Sequence, residues 1–183
     1  MNRRHFIVAG SLGIIGAGCS AGTNVQTTNA PTGLPAFQDR KAMPPFSLPN
    51  LDGNMVRSSD LLGSVAILRF WATWCSICKA EMPSVQRAFT DFQGKKVTIL
   101  AISIDEGGAN DVKPFLTEHR YTMPVVLDTT ADLFNSYGLS GTPGTFIADS
   151  QGILVAGGLG PVDFDRPEFR KYILDLAGEG RRS

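Results

Sequence analysis

The sequence predicts an α/β protein, a central mixed β-sheet flanked by helices and preceded by a β-hairpin, and three observations carry that reading. Two apolar runs rich in β-branched residues, 65–70 and 97–104, are continuous in the way of parallel strands buried on both faces. The segment between them, 75–92, carries helical spacing, so the three make a βαβ unit. Asp52-Gly53 and Asp149-Ser150-Gln151-Gly152 each separate two extended runs, and such hairpin signals add antiparallel pairs to the parallel ones.

The chain has 183 residues, enough for one domain with additional segments, and its 43% hydrophobic content is ordinary for a globular core. Its 17 Lys and Arg cancel its 17 Asp and Glu, which leaves no basic surface to indicate nucleic acid. Three cysteines leave one without a partner in an oxidising compartment.

Residues 1–18 read as a signal peptide. Arg3-Arg4 open it and an apolar stretch follows, shorter than the roughly 20 residues that a membrane-spanning helix needs. Asn2-Arg3-Arg4-His5-Phe6-Ile7 resembles a twin-arginine signal, and the glycines between Gly10 and Gly18 keep its hydrophobicity modest. Gly16-Ala17-Gly18-Cys19 resembles a lipobox, with Gly16 where leucine is usual, so Cys19 is the expected lipidation site and mature N-terminus. The competing reading is a soluble secreted protein with a stray Cys19. Residues 19–43 are dominated by Thr, Asn, Gln, Gly, Ala and Pro with little periodicity. They read as a flexible tether, the alternative being a cap on the domain.

The folded domain is expected over 44–183. Its first hairpin pairs 46–48 with 54–57, and 58–63 turns into the strand 64–70. In the helix 75–92, Pro83 lacks an N–H and is expected to kink the axis; Gly94-Lys95-Lys96 ends the element before strand 97–104. A crossover helix over 110–120, a strand at 125–127 and a short helix 131–137 closed by Gly138 follow. Strands 145–148 and 153–156 form the second hairpin. The last helix is expected to be capped by Asp165, with Pro167 in its first turn and Phe169, Tyr172, Ile173 and Leu176 on its apolar face.

Cys75 and Cys78 stand where the strand 64–70 gives way to the helix. Free N–H groups and the positive end of the helix dipole stabilise an anion there, so Cys75 is the expected nucleophile. Cys78, one turn later, is close enough to form a disulfide with it or to resolve one formed with a substrate. A zinc site would need two further ligands, and the remaining Cys19, His5 and His119 do not supply them at useful spacing. No metal and no cofactor are therefore expected beyond a redox-active Cys75–Cys78 disulfide.

Four side chains around this pair have readings of their own. Trp74 precedes the nucleophile and is expected on the substrate surface, whereas Trp71 reads as core. Glu81 shares a helix face with Cys78, or is simply solvated. Arg69 lies in a strand expected to be covered on both faces; either it pairs with Glu81 or it reaches solvent from the strand end.

Trp71-Ala72-Thr73-Trp74-Cys75 with Cys78, Glu81-Met82-Pro83, Gly141-Thr142-Pro143 followed by Thr145-Phe146-Ile147, and Asp52-Gly53 together resemble the thioredoxin superfamily. The likeness is to its membrane-anchored, extracytoplasmic TlpA-like branch, which includes cytochrome c maturation reductases, and it covers roughly residues 44 to 178. Ile77 departs from a common proline, and Arg69 from the usual Asp or Asn. The resemblance implies a thioredoxin-like fold, a glutamate at Glu81 beneath the cysteines, and a cis-proline loop at Thr142-Pro143 that binds substrate, where the residues alone also allow an ordinary turn proline. It implies a thiol–disulfide oxidoreductase facing the periplasm or cell exterior, with a membrane thiol reductase as electron donor. Its clients would be proteins with cysteine pairs, of the apocytochrome c or copper-site assembly classes. A copper-delivery protein would want a C-x-x-x-C pair and a later histidine, and a thiol peroxidase a cysteine held by Thr and Arg.

Overall fold

The computed structural model describes residues 33–178. In chain order its strands are β1 (Ala36–Ala42), β2 (Ser47–Pro49), β3 (Met55–Arg57), β4 (Val65–Trp71), β5 (Val97–Ser103), β6 (Val125–Leu127), β7 (Gly144–Ala148) and β8 (Ile153–Leu159). Helix α1 (Ser76–Asp91) joins β4 to β5, α2 (Ala109–His119) joins β5 to β6, α3 (Asp132–Ser136) follows β6, and α4 (Pro167–Leu176) ends the fold. Six strands form one mixed sheet in the order β1-β8-β7-β4-β5-β6, in which β4, β5 and β6 run parallel and β7, β8 and β1 add antiparallel.

The central position of β4 follows from its composition. All seven of its residues are buried, and alternate side chains enter opposite layers. Val65 and Ile67 pack with Val85 and Ala88 of α1 and with Phe169 and Ile173 of α4, while Ala66, Leu68 and Phe70 pack with Leu133 and Phe134 of α3. Helix α1 presents Cys78, Met82, Val85 and Ala88 as its buried stripe and runs on through Pro83.

The N-terminal hairpin forms as its Asp-Gly signal predicts. Asn50 Oδ1 accepts from Asp52 N–H and Asn54 N–H, both at 2.9 Å, and Gly53 supplies the positive φ of 84° that closes the turn. Strands β2 and β3 make a separate two-stranded sheet, bridged to β6 between Asn50 and Val126.

Two expectations are corrected. The segment 36–42, read as the end of a tether, is a strand of the main sheet paired with β8, so the domain begins before residue 44. Nearly all of its side chains face solvent, which removes any period from the sequence; it is held by backbone pairing and by Leu34 and Met43, buried on either side of it. Asp165 does not cap α4 either: Arg166 is the N-cap residue, and the Asp165 carboxylate accepts from Arg87 and Arg170 instead. The expected signal peptide over 1–18, the expected lipidation site Cys19 and the part of the expected tether up to residue 32 lie outside the described residues.

Candidate active site

Strand β4 ends at Trp71, and the loop that follows is tied to the end of β5. Asp105, fully buried, accepts from Thr73 N–H at 3.1 Å, from Thr73 Oγ1 at 2.6 Å and from Ser103 Oγ at 2.7 Å. Ile104 N–H donates to the Trp71 carbonyl at 3.0 Å. These bonds hold the turn that delivers Cys75 to the N-cap of α1. Trp71 itself is core, its ring 5.4 Å from that of Phe115.

Cys75 is the N-cap residue, and its sulfur accepts from Cys78 N–H at 3.1 Å. It therefore takes the place of a capping oxygen, where orphan amides and the helix dipole favour negative charge. Cys75 and Cys78 are joined as a disulfide with Cα atoms 5.2 Å apart. Cys78 is 1% exposed and Cys75 7%, so an incoming sulfur reaches Cys75 first.

The Thr142-Pro143 peptide is cis, and the Thr142 carbonyl oxygen stands 3.6 Å from Cys75 Sγ. Pro143 is fixed from the far side, where its carbonyl accepts from Gly160 N–H at 2.8 Å. Around the sulfur, Trp74 is 66% exposed, Ile77 51% and Leu159 56%, three of the six large apolar side chains left in solvent among the described residues. Leu159 belongs to this rim because it lies opposite Gly144 in the β7–β8 register, next to Pro143.

Arg69 does not reach solvent. It is 1% exposed and forms an ion pair with Glu81 through Nη2, while Nη1 donates to Thr145 Oγ1 at 2.7 Å. The second Glu81 oxygen accepts from Val162 N–H at 2.6 Å, and the guanidinium carbon lies 5.6 Å from the centre of the Phe164 ring. Burial lowers the Arg69 pKa, opposed by the charge of Glu81 and its hydrogen bond, and a guanidinium remains protonated under such conditions.

Cys75, Cys78 and the Thr142-Pro143 loop thus meet at the start of α1, with exposed Trp74 directly before Cys75, while Glu81, one turn beyond Cys78, holds the buried Arg69. Sequence reasoning missed Asp105 and Leu159. An acidic residue just past the end of a parallel strand was the available signal for Asp105; Leu159 had none, since it needs β8 to run three residues further than its apolar run. His119 is an exposed residue whose ring is stacked with that of Tyr121 and tilted against that of Phe115. Among the described residues no group of three His, Cys, Asp or Glu side chains is placed to hold a metal, and no helix is long and apolar enough to cross a membrane.

Comparison with known proteins agrees with this geometry. The AhpC/TSA family matches residues 40–156. The thiol-disulfide oxidoreductase ResA of Bacillus subtilis is 31% identical over 153 residues, which cover 84% of this chain and 83% of that protein. ResA of Geobacillus thermodenitrificans is 36% identical over 109 residues, 60% of this chain, and the match spans 62% of that protein's length. The crystal structure of a thiol:disulfide interchange protein of the thioredoxin family from Chlorobium tepidum superposes with a TM-score of 0.66 at 26% identity, covering 78% of this chain and all of that one. With the family match spanning most of the described domain and ResA aligned along most of the chain, this protein belongs to the AhpC/TSA family of the thioredoxin superfamily, among relatives that are thiol–disulfide oxidoreductases.

Proposed function

We propose that this chain is a thiol–disulfide oxidoreductase that reduces disulfides of client proteins outside the cytoplasm. The observation that carries the reading is the Cys75–Cys78 disulfide at the start of α1, with Cys75 Sγ against the Thr142 carbonyl. In the reduced protein the Cys75 thiolate attacks one sulfur of a client disulfide. A mixed disulfide forms and the other client sulfur leaves as a thiolate. Cys78, deprotonated, then attacks Cys75 Sγ, which releases the second client thiolate and leaves Cys75 and Cys78 oxidised. Two electrons have passed to the client, and a membrane thiol reductase restores the dithiol. No cofactor enters the exchange.

The client side of the site is an apolar rim, formed by Trp74, Ile77 and Leu159, with backbone groups of the Thr142-Pro143 loop beside the sulfur. It suits an extended segment of a protein carrying a cysteine pair. Apocytochrome c and copper-site assembly proteins are the client classes that the TlpA-like resemblance supports. Export through the signal 1–18 and lipid anchoring at Cys19 complete the reading.

The test separates the two sulfurs. Cys78→Ser should attack clients and accumulate mixed disulfides on Cys75, detectable on non-reducing gels and by mass spectrometry. Cys75→Ser should form none and lose exchange activity; exchange by Cys75→Ser at the wild-type rate would overturn the proposal.

A further inference from the structure

Arg69 is an unexpected occupant of a central strand. A guanidinium that is 1% exposed needs compensation in place, because a buried charge that loses its partner is strongly destabilising. The compensation comes from separate elements. Glu81 is on α1, one turn beyond Cys78, and Thr145 is on β7, two residues beyond Pro143 and directly opposite Arg69 in the β4–β7 register. Val162, in the chain between β8 and α4, holds the other Glu81 oxygen. One planar fork therefore connects the helix that bears both cysteines to the strand that bears the cis-proline loop. A lysine would bring the charge without the fork.

The arrangement also has an electrical consequence. Glu81 and Cys78 share a face of α1, and a carboxylate one turn from a sulfur opposes its ionisation, while a cation favours it. In the wild type the two charges of the Arg69–Glu81 pair offset one another one turn from Cys78. Removal of either partner should shift the thiol–disulfide equilibrium, and the two removals should act in opposite directions.

Resting on the function proposed above, we infer that Arg69 is a positioning residue of the exchange site, which bridges Glu81 on the cysteine helix to Thr145 on the cis-proline strand and neutralises Glu81 one turn from Cys78.

The experiment equilibrates the full chain with glutathione buffers and measures the equilibrium constant for oxidation of the dithiol by glutathione disulfide. Arg69→Asn leaves the carboxylate uncompensated, disfavours the thiolates and makes the dithiol easier to oxidise. The constant should rise about tenfold, which for a two-electron couple is about 30 mV more negative. Glu81→Gln leaves the cation uncompensated and should lower the constant by about the same factor. The double variant should return to within about threefold of wild type, and Arg69→Lys, which keeps the charge, should do so too. Thr145→Val breaks the bridge to β7 and leaves the ion pair, so it should slow reduction of a protein disulfide while the equilibrium constant holds. Shifts of the same sign in Arg69→Asn and Glu81→Gln, or no shift in either, would reduce Arg69 to a structural residue and overturn the inference. Should Arg69→Asn fail to fold, a Glu81→Gln constant that is unchanged or raised, or a Thr145→Val protein that reduces a protein disulfide at the wild-type rate, would overturn the inference. A wild-type protein that exchanges no disulfide with glutathione would overturn the proposed function itself, a result distinct from active protein with unshifted variants.

Discussion

At the scale of single residues, Tyr137 ties the stability of the fold to pH. Its ring lies 5.0 Å from that of Phe70 and 4.5 Å from that of Phe146, and burial raises its hydroxyl pKa well above the ordinary value near 10. An acid whose folded pKa is raised favours folding in its neutral form. Its contribution is complete below the unfolded pKa and is lost as pH climbs past about 10 towards the folded value. Burial shifts Tyr121 and Tyr172 in the same direction, so they share in the loss. Tyr137→Phe should therefore retain more of its neutral-pH stability above about pH 10 than wild type does, measured as urea midpoints along a pH series. Identical alkaline losses in the two proteins would mean that this hydroxyl does not titrate with unfolding.

At the scale of elements, β1 decides where the domain begins. Met43 N–H donates to the Gly152 carbonyl at 2.8 Å and Gly157 N–H to the Pro35 carbonyl at 3.0 Å, so the strand is stitched to β8 near both ends. Leu34 joins the core beside Val162 and Phe169, and Met43 the opposite core beside Phe146 and Leu68. Burying side chains of that size contributes about 1.5–3 kcal/mol each, so a chain starting at residue 44 should lose at least about 3 kcal/mol relative to one starting at residue 33. Chemical denaturation of the two truncations measures it. Equal midpoints would restore the tether reading for 33–43. The β7–β8 hairpin has a comparable constraint: Gly157 leaves no room for a Cβ against the ring of Phe146, and Gly144 none against Leu139.

At the scale of the whole molecule, the active-site rim and the entry of the chain are distinct features of one sheet. The exchange site lies where β4 meets α1, beside β7, while the chain enters through β1 at the sheet edge, with β8 and β7 between β1 and β4. An anchor attached ahead of β1 can hold the domain at a membrane and leave Cys75 open to clients. If Cys19 is acylated as its Gly16-Ala17-Gly18-Cys19 context suggests, the protein should sediment with membranes, and Cys19→Ala should release it to the soluble fraction, because two or more acyl chains bind a bilayer far more firmly than one or none. Wild-type protein found free of membranes, with an unmodified N-terminus, would remove the anchor from the proposed function.

The sequence by itself determined the α/β class, the βαβ unit around Cys75 and Cys78, and the helix-start chemistry of Cys75. Those properties rest on periodicity and on neighbours within one turn, which are local. The Asn50–Asn54 turn was legible for the same reason, since side chain and backbone of adjacent residues make it. Only the tertiary structure decided the rest. Strand β1 carries no apolar period, so its identity comes from β8. Asp105 reaches Thr73 across 32 positions, and Leu159 reaches the rim by pairing with Gly144. For Arg69 the sequence offered two fates, solvent or Glu81. The choice fell to Thr145 and Val162, 76 positions beyond Arg69 and 81 beyond Glu81 respectively, because a charge stays buried only where the fold assembles every one of its partners.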